Sequence, residues 1–152
     1  MGTRHYQTVI DKAGVTKVAQ YGQWDGYPSG QGSAILSFLR TADLDKYQHQ
    51  LSLVREITDE ESTTIEKNKN WARDYPHLSR DCGSDIHQLI VDGKVSFVSL
   101  MDRKEANKWC EGFYTIDFSK GVFTTEYYKT KVEYPLTSLP TDEEYLKNFD
   151  NE

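Results

Sequence analysis

The chain has 152 residues and carries 24 acidic against 18 basic side chains, a net charge of −6 and a pI near 5.2. That length fits one domain spanning residues 1–152, with about two thirds of the unfolded surface available for burial, so neither a metal nor a disulfide staple is required. The densest basic patch is only Lys67, Lys69 and Arg73; without a basic stripe to neutralise phosphates, duplex nucleic acid is excluded as a partner. A compact anionic ligand stays open, because a pocket needs only two or three placed donors.

Hydrophobic content is low at 37%, but 10 Tyr, 6 Phe and 3 Trp compensate, since aromatic side chains bury large areas and Tyr and Trp add polar tips. No apolar run approaches the 18 residues that a membrane span needs. Met1 to Arg4 leads straight into a strand-like run, which predicts no signal peptide. Tyr6 stands where a myristoylation pattern after Gly2 wants Ser or Thr. Cys82 and Cys110 form no C-x-x-C pair, and His5, His49, His77 and His87 are dispersed, so no metal site and no cofactor is expected.

In chain order, residues 5–11 and 15–24 are β-prone runs around Lys12-Ala13-Gly14 and read as a hairpin. The second run passes into a glycine-rich segment, Tyr21 to Gly32, where regular pairing must stop. Ile35, Leu36, Phe38 and Leu39 fit one helix with Ser33 as its N-cap. Leu44, Tyr47, Leu51 and Val54 fit a second, from about Leu44 to Glu56. Thr58-Asp59-Glu60-Glu61 looks like a cap with an acidic first turn. The polar region 58–73 is either an exposed helix or a mobile insertion.

Tyr75-Pro76 ends that stretch. Ser84 is placed as the cap of a short helix carrying Ile86, Leu89 and Ile90. A strand is expected over Val95 to Leu100, a polar segment over 101–108, and a second hairpin from Trp109–Phe118 and Val122–Lys129, extended by Val132 and Tyr134. Thr141-Asp142-Glu143-Glu144 starts a last helix, and residues 148–152 are expected to fray. Hairpins segregated from helices make the fold α+β: two antiparallel β-hairpins in one sheet, with helices of the central region packed on it.

Tyr21 to Gly32 holds four of the ten glycines in twelve residues. Clustered glycine means positive φ or backbone closely approached by something else. With Tyr21, Trp24 and Tyr27 as aromatics and Gln23, Asp25 and Gln31 as polar groups, the segment is the leading site candidate, and a helix starting near Ser33 would aim free N–H groups at an enclosed ligand. It lacks the G-K-[ST] of a phosphate loop and the dinucleotide G-x-G-x-x-G. The competing reading is a structural strand-to-helix corner. Two further walls are proposed. Ser79-Arg80-Asp81-Cys82-Gly83 offers Arg80 as an anion clamp, Asp81, and Cys82 as a thiol whose pKa a helix start could depress. Trp109 to Tyr114 places Glu111 mid-strand between aromatics, where a carboxylate needs a partner such as Arg80 or Arg4. The candidate ligand-binding set is therefore Arg4, Tyr21, Gln23, Trp24, Asp25, Tyr27, Gln31, Arg80, Asp81, Glu111 and Tyr114.

Met1 to Arg4 and the run Gln20 to Gly32, with Leu78 to Gly83 and the strand Cys110 to Phe118, resemble an uncharacterised family of small phage and bacterial proteins. The resemblance covers most of the chain outside residues 58–73 and implies a phage or prophage origin, hence the cytoplasm of a bacterial host; it brings no activity. A fainter likeness is to N-terminal-nucleophile hydrolases, whose first hairpin ends near an acidic residue, as Asp25 does here; Gly2, however, cannot be a nucleophile, and Thr3 would have to become the first residue. The leading expectation is a small-molecule-binding protein that sequesters a polar, nucleotide-like host signal. The alternatives are a small amide or nucleotide hydrolase using Asp25, Glu111, Cys82 or Thr3, and a protein-interaction module blunting a host factor; a homo-oligomer is compatible with each.

Overall fold

The first alternating runs pair as expected. In the computed structural model, which describes residues 2–150, β1 (His5–Ile10) and β2 (Thr16–Gly22) form an antiparallel hairpin with His5 opposite Gly22 and Val9 opposite Val18. Asp11 closes its turn by accepting from the N–H groups of Ala13 and Val15, both at 2.9 Å. The same strand β1 pairs in parallel with β5 (Gly112–Asp117), His5 beside Gly112 and Ile10 beside Asp117. From β5 the chain runs antiparallel into β6 (Val122–Tyr127) and then β7 (Thr130–Pro135), giving one five-stranded mixed sheet in the order β2-β1-β5-β6-β7. The α+β class holds. The second expected hairpin is instead a three-stranded meander, and a central parallel pair joins it to the first.

That parallel pair dictates the rest, because parallel neighbours need a long crossover. The crossover carries the helices α1 (Ser33–Thr41), α2 (Leu44–Ser52), α3 (Asp59–Glu66), α4 (Trp71–Asp74), α5 (Asp85–Val91) and α6 (Arg103–Trp109). Ile35, Leu36 and Leu39 of α1, Tyr47 and Leu51 of α2, and Ile86 and Ile90 of α5 bury against Val9, Ile116 and Phe123 of the sheet. Each such aliphatic side chain contributes about 1.5–3 kcal/mol of transfer free energy. A smaller cluster, Tyr6 and Ala19 with Ala106 of α6, forms a second patch.

Several local expectations change, and for region 58–73 the helical one of its two readings holds. Helix α2 stops at Ser52, and Arg55–Glu56 becomes a short strand, β3, paired in parallel with β4 (Phe97–Val98), all that forms of the strand expected over 95–100. The segment 101–108 is helical because Asp102 caps it, accepting from Lys104 N at 3.1 Å, and Arg103 lies 4.1 Å over the Phe113 ring. Glu111 is not mid-strand: it precedes β5. Region 58–73 forms α3 and α4. There Thr58 and Glu61 make a reciprocal capping box, and Arg55 clamps Glu61 at 2.7 Å through both of its terminal nitrogens.

Helix α7 (Asp142–Lys147) starts at the Thr141 cap as the sequence indicates. Of the tail expected to fray, Asn148 donates to the Tyr134 hydroxyl at 2.7 Å and Phe149 is buried in the main core. Residues 151–152 lie outside the described residues, as does Met1. No described helix is long and apolar enough to cross a membrane.

Candidate functional site

Beyond Gly22 the chain turns through Asp25, a non-glycine residue at φ 58, into a π-helical turn over Pro28–Gly32 that continues without a break into α1. Ser33 therefore lies inside a helical run rather than capping it. The corner's N–H groups are engaged by the chain itself: Gly26 donates to Thr3 O at 2.8 Å, Gly30 to Tyr27 O at 2.9 Å and Gln31 to Asp25 O at 2.8 Å, and the Ser33 N–H, expected to face a ligand, is directed at the Pro28 and Gly30 carbonyls. The glycines admit the chain's own groups. A Cβ on Gly22 would overlap the His5 imidazole, and one on Gly26 would lie 2.7 Å from the Arg4 carbonyl oxygen.

Beneath the corner runs a buried polar chain. Tyr47 OH lies 2.6 Å from His87 Nδ1, and His87 Nε2 lies 2.7 Å from Gln7 Oε1. An amide oxygen only accepts, so Nε2 carries the imidazole proton and Nδ1 accepts from the tyrosine. Gln7 Nε2 donates to Ser84 Oγ at 3.0 Å, and Ser84 Oγ donates to Gln31 Oε1 at 2.5 Å. His5 Nδ1 lies 3.4 Å from Gln7 Nε2, while its Nε2 is buried without a hydrogen-bond partner among the described residues. Burial holds both imidazoles neutral, pulling His5 down to about 4 and His87 to about 3; proximity to His5 adds to the shift at His87.

The three expected walls do meet, through hydrogen bonds more than around open space. Trp24 Nε1 donates to Asp81 Oδ1 at 2.7 Å, and Gln23 N donates to Arg80 O at 3.0 Å. Gln31 reaches both Ser84 and the Trp24 carbonyl. Tyr114, fully buried, donates to Gly26 O at 2.6 Å. Arg4 is Glu111's partner: the backbone N–H donates to Oε2 at 2.7 Å and the guanidinium to Oε1 at 3.0 Å. Asp25 accepts from the Tyr27 hydroxyl, and Tyr21 donates to Gln23 Oε1. Arg80 keeps its guanidinium exposed and unpaired among the described residues; with Tyr21, His77 and Ser99 it lines a narrow crevice of about 170 Å³.

No protein-family model matches this chain, and no curated protein or solved structure is significantly similar to it. The site therefore has to be read from its own geometry.

A roomy cleft lies beside the corner: a cavity of about 610 Å³ lined by Ala72 and Arg73 of α4, Pro76, Ser79, Asp81 and Cys82 of the intervening loop, and Asp85, Gln88 and Leu89 of α5. Of the candidate residues only Asp81 lines it. Asp81 is anchored there by Trp24, whose ring is 45% exposed. Cys82 is not the activated thiol that its place before a helix suggested: burial pushes it up to about 12, and Asp85 adds to the effect. Cys110 is likewise raised, to about 11. Ala72, Pro76, Asp85, Gln88 and Leu89 were missed as lining residues because they come from two short helices and the Pro76–Leu78 turn against which both pack, an arrangement set only in the tertiary fold. The i, i+3, i+4 spacing of Asp85, Gln88 and Leu89 on one helix face was the signal in the sequence.

Proposed function

We propose that this protein binds a polar small molecule in the cleft between α4, the loop 79–83 and α5. One observation carries the reading: a cavity of about 610 Å³, within the size range of small-molecule sites, that combines apolar lining with two carboxylates. Ala72, Pro76 and Leu89 supply the apolar surface. Asp81 has one oxygen engaged by Trp24, and the Asp85 carboxylate makes no side-chain hydrogen bond among the described residues. The ligand they suit offers hydrogen-bond donors or positive charge on a partly apolar body. A nucleobase with an exocyclic amino group fits that description, which keeps a nucleoside-like molecule in the reading; Asp81 and Asp85 disfavour a phosphate, and Arg73, which also lines the cleft, is already paired with Asp74 at 3.1 Å. Arg80, the group expected to clamp an anion, lines the neighbouring crevice instead. Sequestration of a host metabolite in the cytoplasm of a bacterial host is the role this reading proposes, and it rests on the sequence resemblance alone.

A hydrolase draws less support, because Glu111 is tied to Arg4 and the Cys82 thiol is held protonated. The test is native mass spectrometry of the full chain incubated with a mixture of nucleosides, nucleotides, amino acids and amines. Retention of one compound that is released with unchanged mass, and lost in both Asp81→Asn and Leu89→Arg, is the expected result. Retention of none, or release of a chemically altered product, overturns the proposal.

A further inference from the structure

The second sheet edge has a charge pattern that selects its own partner. Strand β7 pairs with β6 in an unbroken register from Tyr127 opposite Thr130 to Val122 opposite Pro135. Leu136 N–H continues that ladder by donating to Gly121 O at 2.9 Å. Backbone groups alternate sides along a strand, so the even-numbered residues 130, 132, 134 and 136 face β6. Lys131 and Glu133 turn their N–H and C=O groups outward, and Pro135 turns only its carbonyl. No described residue makes a backbone hydrogen bond to the outward groups of Lys131 and Glu133, whereas the Pro135 carbonyl already accepts from Ser138 N–H at 3.0 Å. Lys131, Glu133 and Pro135 also put their side chains on the exposed face of the strand, while Thr130, Val132 and Tyr134 are half-buried.

We infer that β7 is a self-association edge, and that two copies of this chain join their sheets by antiparallel β7–β7 pairing centred on Val132. The geometry admits three nearby registers with the outward groups in phase. Centred on Lys131, the pairing sets lysine against lysine at the two-fold axis, and the Lys129 that Glu133 would then face lies in the turn outside the strand. Centred on Glu133, it sets glutamate against glutamate and places Lys131 opposite Pro135, which has no N–H to give. Centred on Val132, each Lys131 faces Glu133 of the other copy, twice by symmetry. Opposite charges directly across a strand pair attract and like charges repel.

An edge bearing one sign of charge would repel a copy of itself in every register; the alternation here leaves one open. In that register four backbone hydrogen bonds form between the Lys131 and Glu133 pairs. The charges already on the face continue the pattern. Arg103 pairs with Glu126 at 3.2 Å, and Glu126 lies opposite Lys131 across β6 and β7. The dimer thus completes a row Arg103, Glu126, Lys131 and Glu133 of alternating sign across the joined sheet. Tyr128, 65% exposed at the tip of the β6–β7 turn, is brought to the Pro135–Leu136 end of the other copy and supplies apolar contact. The pairing is isologous, as closed dimers require. Because it is short and rimmed by charge it is weak, and salt loosens it.

Sedimentation velocity of the full chain across a wide concentration range tests this. The wild type should form a dimer as concentration rises, and added salt should weaken it. Lys131→Glu alone and Glu133→Lys alone each give the edge a single sign and should leave a monomer with an unchanged circular-dichroism spectrum. The double variant Lys131→Glu/Glu133→Lys exchanges the same two positions and should restore the dimer. A wild type that stays monomeric at the highest concentration overturns the inference. So does a dimer that survives both single substitutions, or a double variant that stays monomeric.

Discussion

The indole N–H of Trp24 donates to the Asp81 carboxylate at 2.7 Å, and that bond ties the strand-to-helix corner to the loop forming one wall of the cleft. Beside it, Gln23 N donates to Arg80 O. Two adjacent residues of the corner thus fix two adjacent residues of the loop, fifty-seven positions along the chain. Trp24 acts on the cleft by holding Asp81 in place.

Trp24→Phe keeps the ring and removes the donor. Freed from the indole, Asp81 should lose its fixed orientation while the backbone bond to Arg80 persists. The expected loss of stability is small, about 1 kcal/mol, as for one exposed hydrogen bond. Chemical denaturation should show that small shift, with amide exchange of Asp81 and Cys82 speeding up selectively. Uniform protection across the loop would show that the indole does not hold it.

The thiols should be sluggish. Burial raises Cys82 to about 12 and Cys110 to about 11, so the thiolate, the reactive form, is scarce at neutral pH. Native protein at pH 7.5 should react with iodoacetamide far more slowly than the same protein in denaturant, at both cysteines. Rapid labelling of Cys82 in the native state would revive it as a nucleophile.

The strand-to-helix corner was legible in the residues because clustered glycine announces close approach; what approaches was not. Gly22 and Gly26 yield to His5 and to the Arg4 backbone; the hairpin pattern brings the chain start to this end of the second strand, but it does not say which groups fill the glycine positions. Pairing of β1 with β5, more than a hundred residues apart in sequence, was equally invisible, because period-2 alternation states which face is buried and not which strand is the neighbour. Glu111 was correctly marked as a carboxylate needing a partner, with Arg4 among the candidates. Its position was misjudged, since Asp102 and Ala106 make a helix of a segment whose polarity resembles a loop. The cleft itself depends on α4 and α5 both packing on the Pro76–Leu78 turn, and a helix of four residues carries too little periodicity to be seen.

Gly22→Ala should be disproportionately damaging for a one-carbon change. The new methyl would enter the space of the His5 imidazole, which is itself fixed between the β1–β2 pairing and the Tyr114 ring 6.4 Å away. Overpacking of this kind costs roughly 1–3 kcal/mol. Shrinking the obstacle with His5→Ala in the same chain should recover part of that loss, so the two substitutions should be non-additive. Strict additivity, or a Tm for Gly22→Ala equal to that of the wild type, would contradict the packing.

Acid should unfold the protein through its two buried imidazoles. An unfolded histidine titrates near 6.5, while the folded chain holds His5 at about 4 and His87 at about 3. Between these values the unfolded state binds protons that the folded state refuses, so stability falls as pH falls. The histidine contribution is complete above pH 6.5, erodes below it, and is exhausted once pH reaches about 4 for His5 and about 3 for His87. At about 1.4 kcal/mol per pH unit for each group, the loss is on the order of several kcal/mol. Protonation at His87 has a structural consequence as well: Nδ1 could no longer accept from Tyr47, and the chain through Gln7 to Ser84 and Gln31 would have to rearrange. Denaturation midpoints measured from pH 8 to pH 4 should be level down to about 6.5 and then decline. His5→Gln should flatten the decline without abolishing it. A midpoint unchanged between pH 7 and pH 5 would mean that one or both imidazoles are solvated or charged, and the buried chain of hydrogen bonds would have to be redrawn.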